Sequence, residues 1–168
     1  MVANLSSHKR GWDDRWEEFS AYAEEGMVIQ TKMLQLVDED TNAFNRIMEA
    51  FGLPKESDEE KAERKKAIEE ATKYAIEIPY SVMETAFESM NIIKKMVEIG
   101  NPNSVTDAAV GGLCARTAIM GAFLNVKINA SGLDDAAYVK SYMDKATAIV
   151  EKANKLEKEI LEITEAKI

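Results

Sequence analysis

The densest group of polar side chains in the sequence lies in one stretch, EIGNPNSVTDAAVGG, at residues 98–112. The turn formed around Pro102 and the start of the following helix explain part of this polarity, because Ser104 or Thr106 can cap the helix and its dipole favours Asp107 in the first turn. A helix N-terminus also presents free N–H groups that can hold a ligand carbonyl or carboxylate while Asp107 accepts or transfers protons. The stretch therefore predicts a helix joint that is also the rim of a cleft, faced by Asn101, Asn103, Ser104 and Asp107.

The helix after this joint carries a stripe of small residues that ends in two carboxamides. Its members alternate in spacing between three and four positions: Ala108, Gly111, Ala115, Ala118, Ala122, Asn125 and Asn129. Small side chains let another helix or a flat ligand approach closely. Two interpretations remain open, namely that the stripe only packs on a neighbouring helix, or that Asn125 and Asn129 face a pocket needing both donors and acceptors.

Long helices must position these groups, since apolar residues recur at helical spacing along the chain. Pro79 falls inside one of them and predicts a kink or a break. Gly52, Gly100 and Gly132 are predicted stops. The predicted helices run from about residue 11 to 51, from 57 or 58 to 99, from the joint to Gly132, and from Asp134 or Asp135 to near the C-terminus. The fold class predicted is all-α.

Composition excludes several classes of function. The chain has 168 residues, of which 46% are apolar, and its 21 basic and 30 acidic side chains give a net charge of −9 that disfavours nucleic acid and anionic membranes as partners. His8 is the only histidine and no Glu-x-x-His pair occurs, so no metal site is expected. The single Cys114 excludes an internal disulfide and is expected to be buried and inert. With no signal peptide and no apolar run near the length of a bilayer span, a cytoplasmic location is expected.

Three segments carry a resemblance to a known family: MVANLSSHK, LVDEDTNAFNRIMEAFGLPK and NPNSVTDAAVGGLCARTAIMGAFLNVKIN. In this order they resemble the cyclodeaminase/cyclohydrolase family, the tetrahydrofolate-processing domain that is joined to formiminotransferase in animals and free-standing in many bacteria. The resemblance implies an intertwined homodimer of long antiparallel helices with five helices per subunit. It implies conversion of 5-formiminotetrahydrofolate to 5,10-methenyltetrahydrofolate and ammonia, or hydrolysis of the methenyl compound to 10-formyltetrahydrofolate. No cofactor beyond the tetrahydrofolate substrate is implied.

The family begins earlier, with a Pro-Gly-Gly-Gly-Ser segment and an Ala-rich helix whose last turn corresponds to MVANLSS. Residues 1–168 are therefore expected to form one N-terminally truncated domain with four long helices and the stub of a fifth. The alternative to an active enzyme is an inactive truncated helical dimer with a binding or structural role. A homodimer is expected in either case, because the long helices carry more apolar surface than one subunit can bury.

The resemblance also assigns candidate site residues. Cyclodeamination requires one proton to be taken and another delivered. The candidates for this chemistry are Asp107, Asp38 and Lys9. A carboxylate can accept hydrogen bonds from a pterin amino group and ring N–H, and a cation suits the anionic glutamate tail. The substrate-binding candidates are Asn101, Asn103, Ser104, Asn125, Asn129, Lys127 and Asp40, in a cleft expected to be shared between subunits. Asp38 and Asp40 lie about 200° apart around a helix, so at most one of them faces the pocket.

Overall fold

The computed structural model describes residues 1–7 and 13–168, and all regular structure within these ranges is helical. The five α-helices are α1 (Val2–Ser7), α2 (Trp16–Gly52), α3 (Asp58–Ile99), α4 (Val105–Ala130) and α5 (Ala136–Glu165). Short 3₁₀ turns at Asp13–Arg15 and Pro102–Ser104 precede α2 and α4. The prediction of four long helices and a short first one is confirmed.

Local sequence explains most of the boundaries. Gly52 is the last residue of α2, and α3 begins with a capping box in which the Ser57 hydroxyl accepts from the Glu60 N–H while the Glu60 carboxylate accepts from the Ser57 N–H. Asp135 caps α5 by accepting from the Tyr138 N–H at 3.1 Å. Ser104 precedes α4 but makes no side-chain capping bond, so the expected serine cap is absent there.

Pro79 does not break α3, which runs unbroken for 42 residues. This helix is the centre of the molecule, because α2, α4 and α5 all pack against it and α1 packs against α2 and α4. The large fully buried apolar side chains come from α2, α3, α4 and α5 and include Phe19, Met83, Met90, Ile119 and Ile160. The core is therefore built around α3. Cys114 of α4 lies outside it and is exposed, so the expectation of a buried thiol is wrong.

The segment Pro102–Ala130 is long and apolar enough to cross a membrane by length and composition alone, so the expectation that no such run exists is wrong for this segment. Core helices of soluble proteins have the same composition, and one such helix is weak evidence for a membrane span. Only 33% of its most apolar window is buried within this fold. Its inner side packs on α3 and α5, whereas its outer side is open.

Candidate functional site

A groove runs between α2 and α4, and α3 forms its floor. The small-residue stripe of α4 lies along it: Ala108 and Gly111 line a cavity at one end, and Ala118 and Ala122 line a cavity at the other. A β-carbon placed on Gly111 would lie 3.7 Å from Ile93 of α3. The stripe thus packs closely on α3 and also walls two cavities.

The first cavity has a volume of about 480 Å³ and lies where α1, α2, α3 and α4 meet. Its walls are mostly apolar, with Met27 of α2, Met96 of α3 and Met1 among them. Asp107 lines it from the first turn of α4, together with two carboxamides, Asn4 of α1 and Gln30 of α2. This size and this mixture of apolar walls with a few polar groups are typical of a small-molecule site.

Asp107 is the one polar joint residue on the wall of this cavity. Its carboxylate is exposed and makes no hydrogen bond or ion pair with any residue in the ranges 1–7 and 13–168. It lies at the N-terminal end of α4, where free N–H groups and the helix dipole favour an anionic or carbonyl ligand. The carboxylate is available to accept hydrogen bonds from a ligand or to exchange a proton with it.

The other joint residues serve local structure in this chain. The Asn101 side chain accepts from the Asn103 N–H at 3.0 Å, and the Asn101 N–H donates to the Ser6 hydroxyl at 2.8 Å. Ser104 is only 6% exposed, and Asn103 points outward without lining either cavity. Roles of Asn101, Asn103 and Ser104 in substrate binding stay predictions, whereas their part in joining α3, α1 and α4 is visible in the structure.

The second cavity, of about 420 Å³, lies toward the other end of the groove. Asp40 and Thr41 of α2 and Asn125 of α4 provide its polar groups, and Pro79 and Val82 of α3 form part of its wall. The structure therefore brings together two of the substrate-binding candidates, Asp40 and Asn125. Asp38 is exposed and does not line this cavity, in agreement with the expectation that the two aspartates face different directions.

Asn129, the last residue of the stripe, bonds the neighbouring helix. Its side-chain N–H donates to the main-chain carbonyl of Ala75 at 2.6 Å. This carbonyl lies one helical turn before Pro79, which has no N–H to offer it. The interpretation of Asn129 as a helix-packing residue has a direct contact in its favour, and its role in substrate binding stays a prediction.

The cationic candidate in the described part of the chain, Lys127, lines neither cavity. Lys127 is exposed at the far end of α4, with its ammonium 5.6 Å from the centre of the Phe123 ring. Lys9 lies outside the described residues.

Asp107 and Asn125 are separated by about 27 Å along α4, at 1.5 Å per residue, so one chain does not bring them to one small ligand. A site using both needs groups from two chains.

A polar and aromatic cluster fixes the start of α5 beside α3, near the Asn129 end of α4. The Lys73 ammonium contacts Asp135 at 3.0 Å, and the Tyr138 N–H and Lys73 together hold the pKa of Asp135 below its usual value. Burial and a hydrogen bond to Glu77 raise the pKa of the Tyr138 phenol. Burial also raises the pKa of Tyr80 to about 12. These tyrosines are neutral at physiological pH and serve packing.

Sequence reasoning missed Asn4 and Gln30, which line the first cavity beside Asp107. A signal for Gln30 exists in the sequence, because it follows Gly26 by one turn on a helix face that continues with Met33 and Val37. Within the described residues, no group of three or more His, Cys, Asp or Glu side chains is placed to hold a metal ion.

The described residues define an all-helical fold with a groove between α2 and α4. The structure superimposes on the crystal structure of formiminotetrahydrofolate cyclodeaminase from Thermotoga maritima with a TM-score of 0.85 and 22% sequence identity, over 99% of this chain and 79% of that one. This likeness concerns the fold.

Residues 1–148 match the model of the formiminotransferase-cyclodeaminase family, and the chain belongs to this family. It is 32% identical to a methenyltetrahydrofolate cyclohydrolase of Methylorubrum extorquens over its whole length, which is 81% of that protein. It is also 38% identical over 124 residues to a formimidoyltransferase-cyclodeaminase of Dictyostelium discoideum, of which the match covers 22%. The expected family is confirmed.

Proposed function

We propose that this protein is an enzyme of folate one-carbon metabolism that acts on the one-carbon bridge of a tetrahydrofolate derivative. The observation that carries the proposal is the Asp107 carboxylate, which has no partner among residues 1–7 and 13–168 and lies on the wall of a ligand-sized cavity, in a chain of this family. The two reactions are release of ammonia from 5-formiminotetrahydrofolate to give 5,10-methenyltetrahydrofolate, and hydrolysis of the methenyl compound to 10-formyltetrahydrofolate. Similarity to relatives named for each reaction supports both.

Asp107 is proposed to move the proton that both reactions require. In cyclodeamination, N10 attacks the carbon of the protonated formimino group and loses its own proton, and the departing NH2 group gains one to leave as ammonia. In hydrolysis, the attacking water loses both of its protons as it becomes the formyl oxygen; one passes to the nitrogen of the broken C–N bond and the other is released to solvent. A carboxylate with no partner among the described residues can accept one proton and return it, so no metal or redox cofactor is required.

The carboxamides of Asn4 and Gln30 are proposed to orient the pteridine ring beside Asp107. Each offers a donor and an acceptor, and the ring presents both along its edge. The methionine-rich wall suits the flat face of the ring, because methionine adapts its shape and contacts aromatic systems favourably. Lys9 or Lys127 is proposed to lie nearer the anionic tail.

One assay separates the two reactions. The methenyl compound is followed by its absorbance while ammonia is measured with a coupled enzyme. Formation of the methenyl compound with equimolar ammonia from the formimino substrate indicates cyclodeamination, and its consumption above the uncatalysed rate indicates hydrolysis. Absence of both activities, with correct folding, would favour the binding or structural alternative.

A cytoplasmic homodimer is part of the proposal. Large apolar side chains stay exposed along α2 and α4, including Phe44 at 63% and Ile128 at 67%. Exposed apolar surface of this extent is typical of a protein interface. Light scattering at micromolar concentration tests the oligomeric state, and a stable monomer would contradict the proposed homodimer.

A further inference from the structure

A buried hydroxyl ties the first helix, α1, to the joint between α3 and α4. Ser6 is fully buried, and its hydroxyl donates to the Val2 carbonyl and accepts from the Asn101 N–H, both at 2.8 Å. Because the first bond fixes the direction of the hydroxyl proton, a lone pair of the oxygen faces Asn101. The hydroxyl therefore joins two elements that lie 95 residues apart in the chain.

The main chain of the joint approaches α1 closely at Gly100. A β-carbon placed on Gly100 would lie 3.3 Å from a methyl carbon of Val2 and 2.5 Å from the main-chain oxygen of Met96. The second distance is far below a van der Waals contact, so a side chain at this position would displace the main chain. α1 thus packs directly on the main chain of the joint.

Asn101 transmits this contact to the start of α4. Its main-chain carbonyl accepts from the Ser104 N–H at 2.9 Å, and its side chain accepts from the Asn103 N–H at 3.0 Å. The 3₁₀ turn that these bonds support leads directly into α4, of which Asp107 is the third residue. A shift of Asn101 therefore moves Asp107, because every residue between them belongs to a hydrogen-bonded turn or helix.

The opposite side of α1 faces the first cavity. Asn4 and Ser6 lie about 200° apart around the helix, because they are two positions apart in sequence. Asn4 lines the same cavity that Asp107 lines from α4. The Ser6 hydroxyl thus forms the link between the helix that carries Asn4 and the joint that carries Asp107.

We propose that Ser6 is a positioning residue of the first cavity, whose hydroxyl sets where Asn4 stands relative to Asp107. The inference rests on the proposed function, in which Asn4 orients the pteridine ring and Asp107 exchanges a proton with the one-carbon bridge. Ser6 does not line the cavity, so it acts through these two residues and not by contact with the ligand. A small displacement of an orienting group lowers the rate, because the reacting atoms must be held within a fraction of an ångström.

Ser6→Ala removes the hydroxyl and is the first test. The matched control is Ser7→Ala, because the Ser7 hydroxyl bonds within α1, to the Asn4 carbonyl at 3.0 Å. At a temperature where both variants retain helical circular dichroism, we expect Ser6→Ala to lower kcat/KM for the tetrahydrofolate substrate at least about ten-fold and Ser7→Ala to stay close to wild type. A Ser6→Ala protein as active as the control overturns the inference.

A second pair of variants separates the hydroxyl from packing. Ser6→Thr and Ser6→Val have the same shape and differ only in the hydroxyl, so they compare the hydrogen bonds at equal packing. We expect Ser6→Thr to keep a higher kcat/KM than Ser6→Val. Equal activity in the two variants overturns the inference. Loss of folding in both hydroxyl-free variants assigns Ser6 to folding alone and also overturns it.

A double-mutant cycle tests whether Ser6 acts through Asn4. In an Asn4→Ala protein the carboxamide is already absent, so Ser6→Ala is expected to lower kcat/KM by a clearly smaller factor than in wild type. The pH dependence of kcat/KM should keep its shape in Ser6→Ala, because Asp107 is retained. Equal factors in the two backgrounds overturn the inference, because Ser6 then does not act through Asn4.

A binding measurement separates this inference from the proposed function. The probe is 5-formyltetrahydrofolate, which carries an oxygen in place of the imino nitrogen, and its affinity is measured by isothermal titration calorimetry. A wild-type protein that neither binds this folate nor turns over either substrate overturns the proposed function and this inference with it. An active wild-type protein whose Ser6→Ala variant is equally active and binds the probe equally well overturns this inference alone.

Discussion

Asn129 of α4 donates its side-chain hydrogen bond to the main-chain carbonyl of Ala75 in α3, at 2.6 Å. Ala75 lies four residues before Pro79, so its carbonyl is the one that the proline leaves without a helical N–H. The asparagine thus supplies the donor that the helix lacks. This bond explains how α3 continues through a buried proline, and it ties the far end of α4 to the central helix.

Replacing Asn129 by Leu is expected to lower the free energy of unfolding by roughly 1–3 kcal/mol, because the Ala75 carbonyl is left unsatisfied. The same substitution is then made in a Pro79→Ala protein, in which alanine restores a helical N–H to that carbonyl. In urea denaturation the cost of Asn129→Leu should be clearly smaller in this background. Equal costs in both backgrounds would show that the two positions are not coupled.

Replacing Asp107 by Asn preserves the shape of the side chain and removes its capacity to accept a proton. We expect kcat to fall about 100-fold or more, with a smaller change in KM, as is typical for loss of a general acid or base. Asp144→Asn, the same change at an exposed carboxylate of α5 outside the groove, is the control. An unchanged kcat for Asp107→Asn would remove Asp107 from the mechanism.

The variants Asp40→Asn and Asp38→Asn test which of the two aspartates lies beside the substrate. Asp40 lines the second cavity together with Asn125, whereas Asp38 points away from that cavity, so Asp40→Asn is expected to raise KM more than Asp38→Asn. Steady-state kinetics on both variants test this directly. A larger effect at Asp38 would place it, and not Asp40, beside the substrate in the assembled enzyme.

Ser6 connects the first helix to the joint. Its hydroxyl is fully buried, donates to the Val2 carbonyl and accepts from the Asn101 N–H, both at 2.8 Å. Ser6→Ala removes both bonds and is expected to cost about 1–3 kcal/mol in the free energy of unfolding. Ser7→Ala removes a single bond to the Asn4 carbonyl and should cost less. If the two variants unfold alike, the contact between α1 and the joint contributes little.

Asp135 gives a pH-dependent contribution to stability. The Tyr138 N–H and Lys73 lower its pKa from the usual 3.8, so its stabilising effect is complete above that pH and is lost as pH falls through the lowered pKa. Asp135→Ala should therefore lower Tm at pH 7 and by progressively less as the pH is taken below 3. Thermal unfolding followed by circular dichroism tests this, and a difference in Tm that does not change with pH would contradict it.

The sequence by itself determined the helices and their ends, because these depend on residues close together in the chain. Apolar spacing marks the four long helices, Gly52 and the Ser57–Glu60 capping box define the turn between α2 and α3, and Asp135 caps α5. The three motif segments likewise indicated the family, which the match over residues 1–148 confirms.

The tertiary structure decided which side chains meet, because such contacts join residues far apart in sequence. Pro79 predicts a break until Asn129, from another helix, satisfies the carbonyl that it frees. The helical angle between Asp38 and Asp40 shows only that they diverge, and packing on α3 and α4 selects Asp40 for the groove. Ser104 is polar yet buried, and Cys114 is apolar yet exposed, because exposure depends on where the neighbouring helices lie rather than on the nature of the residue.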